Sequence, residues 1–322
     1  MKFNCTLRFI CFDIGMEIAM ELTAVVIARN EEKNIESCIK SLFKCGLNKK
    51  QLQIILVDSN SSDRTIEIAS KYPIEIYRLD KPSIGSALNI GIDFSKAKHI
   101  LKVDGDSTVP NNFVKIALKM FEKNKKVGLV TGIRKEKNPN TKIGSIYSRR
   151  FQESDKPGYI TNLGGNFIFD KEAVKKTLIK FPDDHCREET LLCKALNKHG
   201  YKCLRLNTVS MVHDSTFDSC EKPNYLKKNK FYAYENAVYL KRMGISTALK
   251  EPHIILLFYL FGTTALSFLN PLFFLGMLLP FFGVMLIKKS ASEAVYFYYR
   301  AFHLMYYLFS SGKKKVGFKK IK

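Results

Sequence analysis

Four short apolar runs, separated by polar breaks and helix-spaced patterns, limit what this chain can build. Leu22–Ala28, Gln53–Val57, Ile74–Tyr77 and His99–Val103 are rich in aliphatic and β-branched residues and too short to be buried helices. Between the first two, Ile35, Cys38, Ile39, Leu42 and Phe43 recur at helical spacing. Asn30 is the expected N-cap of that helix, and Gly46 its stop. A second helix is expected from a cap at Ser62 or Asp63 to about Ser70, and a third over Ser86–Phe94. Strands alternating with helices predict an α/β fold: a mostly parallel sheet flanked by helices on both faces. Sheets of this kind hold ligands at the carboxyl ends of their strands.

Three of those ends carry polar clusters: Arg29-Asn30-Glu31, Asp58 with Asp63, and Asp104 with Asp106. The last cluster lies in Lys102-Val-Asp-Gly-Asp106, where the fourth run ends. In extended chain, residues two apart point to the same side. Two carboxylates so placed repel each other unless a cation or hydrogen-bond donors lie between them. Their oxygens suit Mg²⁺ or Mn²⁺, which keep coordination positions open for phosphate. Gly105 would let a ligand approach the backbone. Asp-Gly-Asp is also good turn chemistry, so a solvated turn is the alternative for this cluster alone. Three polar clusters on one sheet edge point to a nucleotide site.

The chain has 322 residues and is 46% hydrophobic, enough for one large domain and an appendage. Its formal net charge of +22 calls for an anionic partner, either phosphate ligands or an acidic membrane surface. Nucleic acid is not expected, because no nucleic-acid-binding motif accompanies the lysines. The eight cysteines form no Cys-x-x-Cys pair, which argues against a zinc or thioredoxin-like site and for a reducing compartment. Residues 1–21 form an N-terminal extension. Asp13 and Glu17 interrupt its apolar stretch, so it does not read as a signal peptide, and Met16 or Met20 is a possible start.

Four segments in order resemble the donor-binding half of a family 2 glycosyltransferase of the GT-A fold. They are Val26-Ile-Ala-Arg-Asn-Glu31, Val57-Asp-Ser-Asn-Ser-Ser-Asp-Arg-Thr65, Ala87-Leu-Asn-Ile-Gly91 and Val103-Asp-Gly-Asp106. The resemblance implies that Ala28, Asn30, Glu31, Asp58, Asn89, Lys102, Asp104 and Gly165 surround a UDP- or GDP-sugar, with Asp58 against the base. It implies a Mn or Mg ion at Asp106 and Asp104, bridging the donor diphosphate. Ala87-Leu88-Asn89 departs from the family's Ala-Arg-Asn and lacks one arginine contact. Leu163–Asp170 resembles the family's Gly-rich segment near the sugar, and Arg187–Tyr201 its Glu-Asp helix. Counting back from Gly200, Glu189 falls where the family usually has its catalytic Asp, one methylene longer, with Glu188 as the competitor. Both are alternatively helix N-terminal acids that stabilise the dipole. His213 stands where related enzymes often place a metal-binding or acceptor-side histidine, although a lone histidine serves structure as readily. With no Trp, the chain lacks the Gln-x-x-Arg-Trp motif of processive synthases. Arg134–Tyr159 is polar with little periodicity and is expected to be a loop over the site.

The catalytic domain is therefore expected over residues 22–222, followed by a basic juxtamembrane segment, 223–251. Residues 252–287 are nearly free of charge and are broken by Asn270-Pro271, which predicts a transmembrane hairpin. Residues 288–322 read as an aromatic interfacial helix and a basic tail on the cytoplasmic side. The combined expectation is an inverting transferase at the cytoplasmic face of the cell membrane, acting on a lipid-linked or saccharide acceptor. Transfer onto a polyprenyl phosphate and a non-catalytic sugar-nucleotide or membrane-binding module are the alternatives.

Overall fold

The computed structural model describes residues 20–181, 187–216, 279–288, 291–309 and 318–322, with isolated positions between 233 and 260. The four apolar runs become β1 (Leu22–Ala28), β2 (Leu52–Asp58), β3 (Glu75–Leu79) and β4 (His99–Asp104). Helices α1 (Ile35–Phe43), α2 (Thr65–Ala69) and α3 (Ile84–Phe94) connect them. Beyond β4 come β5 (Ser107–Thr108), α4 (Phe113–Lys123), β6 (Val127–Glu136), α5 (Lys142–Ser154) and β7 (Gly158–Tyr159). They are followed by β8 (Phe167–Asp170), α6 (Lys171–Lys176), α7 (Glu188–Lys198) and β9 (Lys202–His213). The last described elements are α8 (Leu279–Lys288), α9 (Ala291–Phe309) and β10 (Phe318–Lys320).

All the described strands join one sheet in the order β10-β3-β2-β1-β4-β8-β6-β9-β5, with β7 paired to β9. The first half is parallel as expected: β1 pairs in parallel with both β2 and β4, and β2 with β3. The second half is mixed, because β8 runs antiparallel to β4 and β6 while β6 and β9 are parallel. Period-two alternation divides the apolar residues between two cores. Leu22, Ala24 and Val26 of β1 pack on α1 and α4, while Val25 and Ile27 face α3 and α7.

Three local expectations change. Asn30 does not cap α1: its φ is +58°, and the helix starts at Ile35 with Asn34 as N-cap. Gly105 does not make room for a ligand, since a Cβ there would lie 2.8 Å from the Ala28 Cβ and 3.1 Å from the Glu31 Cγ. The expected loop at 134–159 contains a helix, α5, capped by the Thr141 hydroxyl, which accepts from the Gly144 N–H. Its sequence carries little apolar periodicity because its partners are aromatic and ionic. Tyr147 and Phe151 pack on the His213 ring at 4.6 and 5.9 Å, and Arg134 lies 4.5 Å over Phe151.

Among the described residues, no helix is long and apolar enough to cross a membrane. Most of the expected hairpin at 252–287 and of the juxtamembrane segment at 223–251 lies outside the described residues, as does the extension through residue 19. The end of the basic tail has a definite place. β10 pairs antiparallel with β3, and Lys320 bonds Glu75. Lys322 donates to the carbonyls of Ser70 and Tyr72.

Candidate active site

Sheet register assembles the site. Ala28 is opposite Asp58 and Ile27 opposite Asp104, so the carboxyl ends of β1, β2 and β4 stand side by side. Ser107 is opposite His213, which brings the end of β9 to Asp106, whose carbonyl accepts from the Asp214 N–H. The loops after β1 and β2 are laced together. Ser61 Oγ accepts from the Asn30 N–H, Asn30 Oδ1 from the Ser62 N–H, and Thr65 Oγ1 from the Glu31 N–H. A cleft of about 240 Å³ opens between these loops and Asp106, lined also by Asp63 and Asp214.

Near the carboxyl end of β4 is Lys102, whose side chain is only 2% exposed. Its ammonium donates to Asp104 Oδ1 at 2.6 Å, Glu189 Oε1 at 3.3 Å and the Gly165 carbonyl at 3.4 Å. Burial alone would lower the lysine's pKa, but the charges of Asp104 and Glu189 and their hydrogen bonds hold it above its usual range. Gly165 can present that carbonyl because its φ is +81°, and a Cβ there would overlap the Met211 sulfur. Buried Asn166 fixes the backbone of Asp104, its Oδ1 accepting from the Asp104 N–H at 3.0 Å. Of the two candidate acids on α7, Glu188 is buried and Glu189 is the one beside Lys102.

Asp106 and His213 also meet: Nε2 lies 3.3 Å from Asp106 Oδ2, while Nδ1 contacts Glu136 Oε2 at 2.8 Å. Burial would depress the imidazole, but its bonds to Asp106 and then Glu136, with their charges, push it up to about 9. Asp106 Oδ1 is buried without a partner, as is Asp58 Oδ1 on the far side of the site. The Asp106 carboxylate fits Mn²⁺ or Mg²⁺, which are commonly held by one or two carboxylates plus substrate phosphate, whereas His213 would first have to lose its Nε2 proton. Among the described residues, no cluster of three or more His, Cys, Asp or Glu side chains forms a complete cage. Lys102 takes only one Asp104 oxygen, and Asp106 Oδ1 has no partner, so these two carboxylates are the groups that would hold the ion.

Asn89 is engaged within the fold. Its Nδ2 donates to the Phe181 carbonyl at 2.8 Å and its Oδ1 accepts from the Phe181 N–H at 3.2 Å, tying α3 to the segment before α7. Sequence reasoning missed Glu136, Asn166 and the Arg134–Asp155 pair. Asp155 accepts from the Arg134 N–H, Nε and Nη2 at 2.8–2.9 Å, and Arg134 packs against Gly164 and Gly165. The clue lay in Leu163-Gly-Gly-Asn-Phe-Ile-Phe-Asp170, where two glycines demand something large packed close to the backbone.

With this geometry in place, comparison with known proteins is informative. The family model described as glycosyl transferase family 2 matches residues 23–178. Residues 23–178 are a glycosyl transferase family 2 domain. Among its relatives is the poly-beta-1,6-N-acetyl-D-glucosamine synthase of Staphylococcus aureus, 22% identical over 203 residues, covering 59% of this chain and 49% of that protein. The Staphylococcus epidermidis synthase of the same name is also 22% identical, over 54% of this chain and 45% of that protein. The chain thus spans about half the length of the curated relatives it matches. The mannosyltransferase PcManGT from Pyrobaculum calidifontis, solved in complex with GDP-Man and Mn²⁺, shares the fold. Its TM-score is 0.63 at 16% identity, covering 89% of this chain and 88% of that one. S. aureus TarS 1-349 in complex with UDP-GlcNAc superposes with a TM-score of 0.51 at 17% identity, over 77% of this chain and 73% of that one.

Proposed function

We propose that this family 2 protein is an inverting glycosyltransferase that moves a sugar from a UDP- or GDP-sugar to a hydroxyl of a lipid-linked acceptor. The observation that carries this reading is the placement of Asp58 and Asp104 at the carboxyl ends of β2 and β4, on either side of β1, with Glu189 joined to Asp104 through buried Lys102. The unpartnered Asp58 Oδ1 is an acceptor suited to a nucleobase N–H. In the transfer, Glu189 takes the proton of the acceptor hydroxyl as its oxygen bonds to the anomeric carbon. The bond from that carbon to the diphosphate breaks, and its electron pair leaves with the nucleoside diphosphate. One in-line displacement inverts the centre. A divalent cation held at Asp106, with Asp104 nearby, would neutralise charge on the leaving diphosphate. Similarity in fold to proteins solved with UDP-GlcNAc and with GDP-Man and Mn²⁺ supports this choice of donor and ion.

Support for a lipid acceptor comes from the C-terminal helices. Leu279, Phe282 and Leu286 of α8 are exposed at helical spacing, as are Val295, Phe302 and Tyr306 of α9. The net charge of +22 favours an anionic bilayer surface. Because β10 and β3 share a sheet, the chain's last residues stay with the catalytic domain, which suits a membrane hairpin and a cytoplasmic site. The absence of tryptophan favours single additions over processive synthesis.

The test is nucleoside diphosphate release by the detergent-solubilised full chain. UDP- and GDP-sugars are screened with Mn²⁺ or Mg²⁺, with and without membrane lipid extract or soluble saccharides. Lipid-dependent release that vanishes in Asp106→Ala is expected. Metal-dependent donor binding with no release under any acceptor would overturn the transferase reading. Near-normal release in Glu189→Gln would mean an already ionised phosphate acceptor.

A further inference from the structure

Lys102 is an unusual residue for the middle of a central strand. Two residues before Asp104 on β4, it faces the α3–α7 side of the sheet, paired in register with Phe167. An ammonium in such a place is costly unless every donor is used, and an apolar residue of similar size would serve stability as well. Here its three donors meet three acceptors from three parts of the chain: Asp104 at the end of β4, Gly165 before β8 and Glu189 in the first turn of α7. Each carboxylate gives it one oxygen. Both partners reach the open site, with Asp104 32% and Glu189 19% exposed. Among the described residues, Lys102 is the side chain that links the donor-side acid to the acceptor-side acid.

We infer that Lys102 is a positioning residue for the transfer: its buried ammonium ties Glu189 to Asp104 and holds the free oxygen of Glu189 where the acceptor hydroxyl loses its proton. This rests on the reading of Glu189 as the base. The cation touches neither the acceptor nor the proton in flight, and its effect passes through Glu189. A base held on a helix start 87 residues away in sequence would otherwise be free to swing with its extra methylene.

The experiment compares Lys102→Met, Lys102→Arg, Glu189→Gln and the double variant Lys102→Met/Glu189→Gln in the full chain. If Lys102 acts through Glu189, Lys102→Met lowers kcat by about 100-fold or more, within the range for displacing a general base. The same change in the Glu189→Gln background then costs less than about threefold, because residues acting as one unit are non-additive. Lys102→Arg, which keeps a cation, recovers part of kcat. Equal losses in both backgrounds, or a loss of thermal stability with kcat intact, would overturn the inference. A second readout does not depend on turnover: hydrogen exchange of the 187–198 backbone amides. Lys102→Met should speed exchange there, and so should Glu189→Ala, which leaves Lys102 paired with Asp104 and serves if the lysine variants fail to fold. Unchanged exchange in the variants that fold refutes the tether. Faster exchange with no donor turned over under any condition would refute the transferase reading and leave the tether standing.

Discussion

Asp155→Ala probes the part of the site that the sequence hid best. The Asp155 side chain is 1% exposed and accepts three hydrogen bonds from Arg134, while Arg205 Nη2 lies 3.6 Å away. Removing the carboxylate leaves two arginines buried and uncompensated, which costs about 3–5 kcal/mol. At roughly 2–4 °C per kcal/mol for a domain of this size, Tm should fall by about 6–20 °C. The pH dependence has a definite sign. Burial would raise the Asp155 pKa, but the Arg134 hydrogen bonds and charge, with Arg205 behind them, hold it below its usual value. A carboxyl depressed in the folded state contributes stability above its unfolded pKa, about 3.9, and loses it as pH falls through the folded value. The Tm gap between wild type and variant should therefore be full at pH 6–7 and narrow toward pH 3. Thermal unfolding followed by far-UV circular dichroism across that range checks both points. A Tm change under about 2 °C at pH 7 would refute the account, as would a gap that widens in acid.

The remaining predictions concern the site and the sheet edge. Gly165→Ala forces a side chain into φ +81° and against the Met211 sulfur, for at least about 1–2 kcal/mol, read as a Tm fall of roughly 2–8 °C. A wild-type Tm in that variant would show that the turn relaxes freely. Asp106→Asn should weaken Mn²⁺-dependent nucleotide binding by at least about tenfold in calorimetric titration, a loss of about 1.4 kcal/mol, and chelator should do the same to wild type. Equal binding with and without metal would remove the ion from the site. Deleting residues 318–322 strips β10 from β3 and exposes an edge strand, so faster aggregation by light scattering and a lower Tm are expected. Unchanged behaviour would mean that β10 adds nothing to the sheet.

What could be read from the chain alone was whatever depends on local repetition. Strands β1–β4 follow from short continuous apolar runs and helices α1–α3 from helical spacing and caps, and strand–helix alternation places the acids of β2 and β4 on one edge. That reasoning reached Asp58 and Asp104 because each ends its own strand, and Asp106 because it lies two residues past the end of β4. It failed at α5, whose stability comes from Tyr147 and Phe151 packing on His213 rather than from an apolar stripe. It did not show that tertiary packing ties the Asn89 amide to Phe181. The C-terminal strand was hidden too, because Phe318–Lys320 is short and basic and becomes a strand only when the β3 edge offers a ladder.

Tertiary structure alone decided how charges separated in sequence would share one buried place. Nothing in the sequence links Lys102 to Glu189, Glu136 to His213 or Arg134 to Asp155, since side-chain pairing across 87, 77 and 21 residues leaves no periodic trace. Burial then makes those pairs obligatory, because an ionised group removed from water must find its counter-charge inside the protein. The strand pattern determined which acids reach the edge of the sheet, and the folded chain determined which cation stands between them.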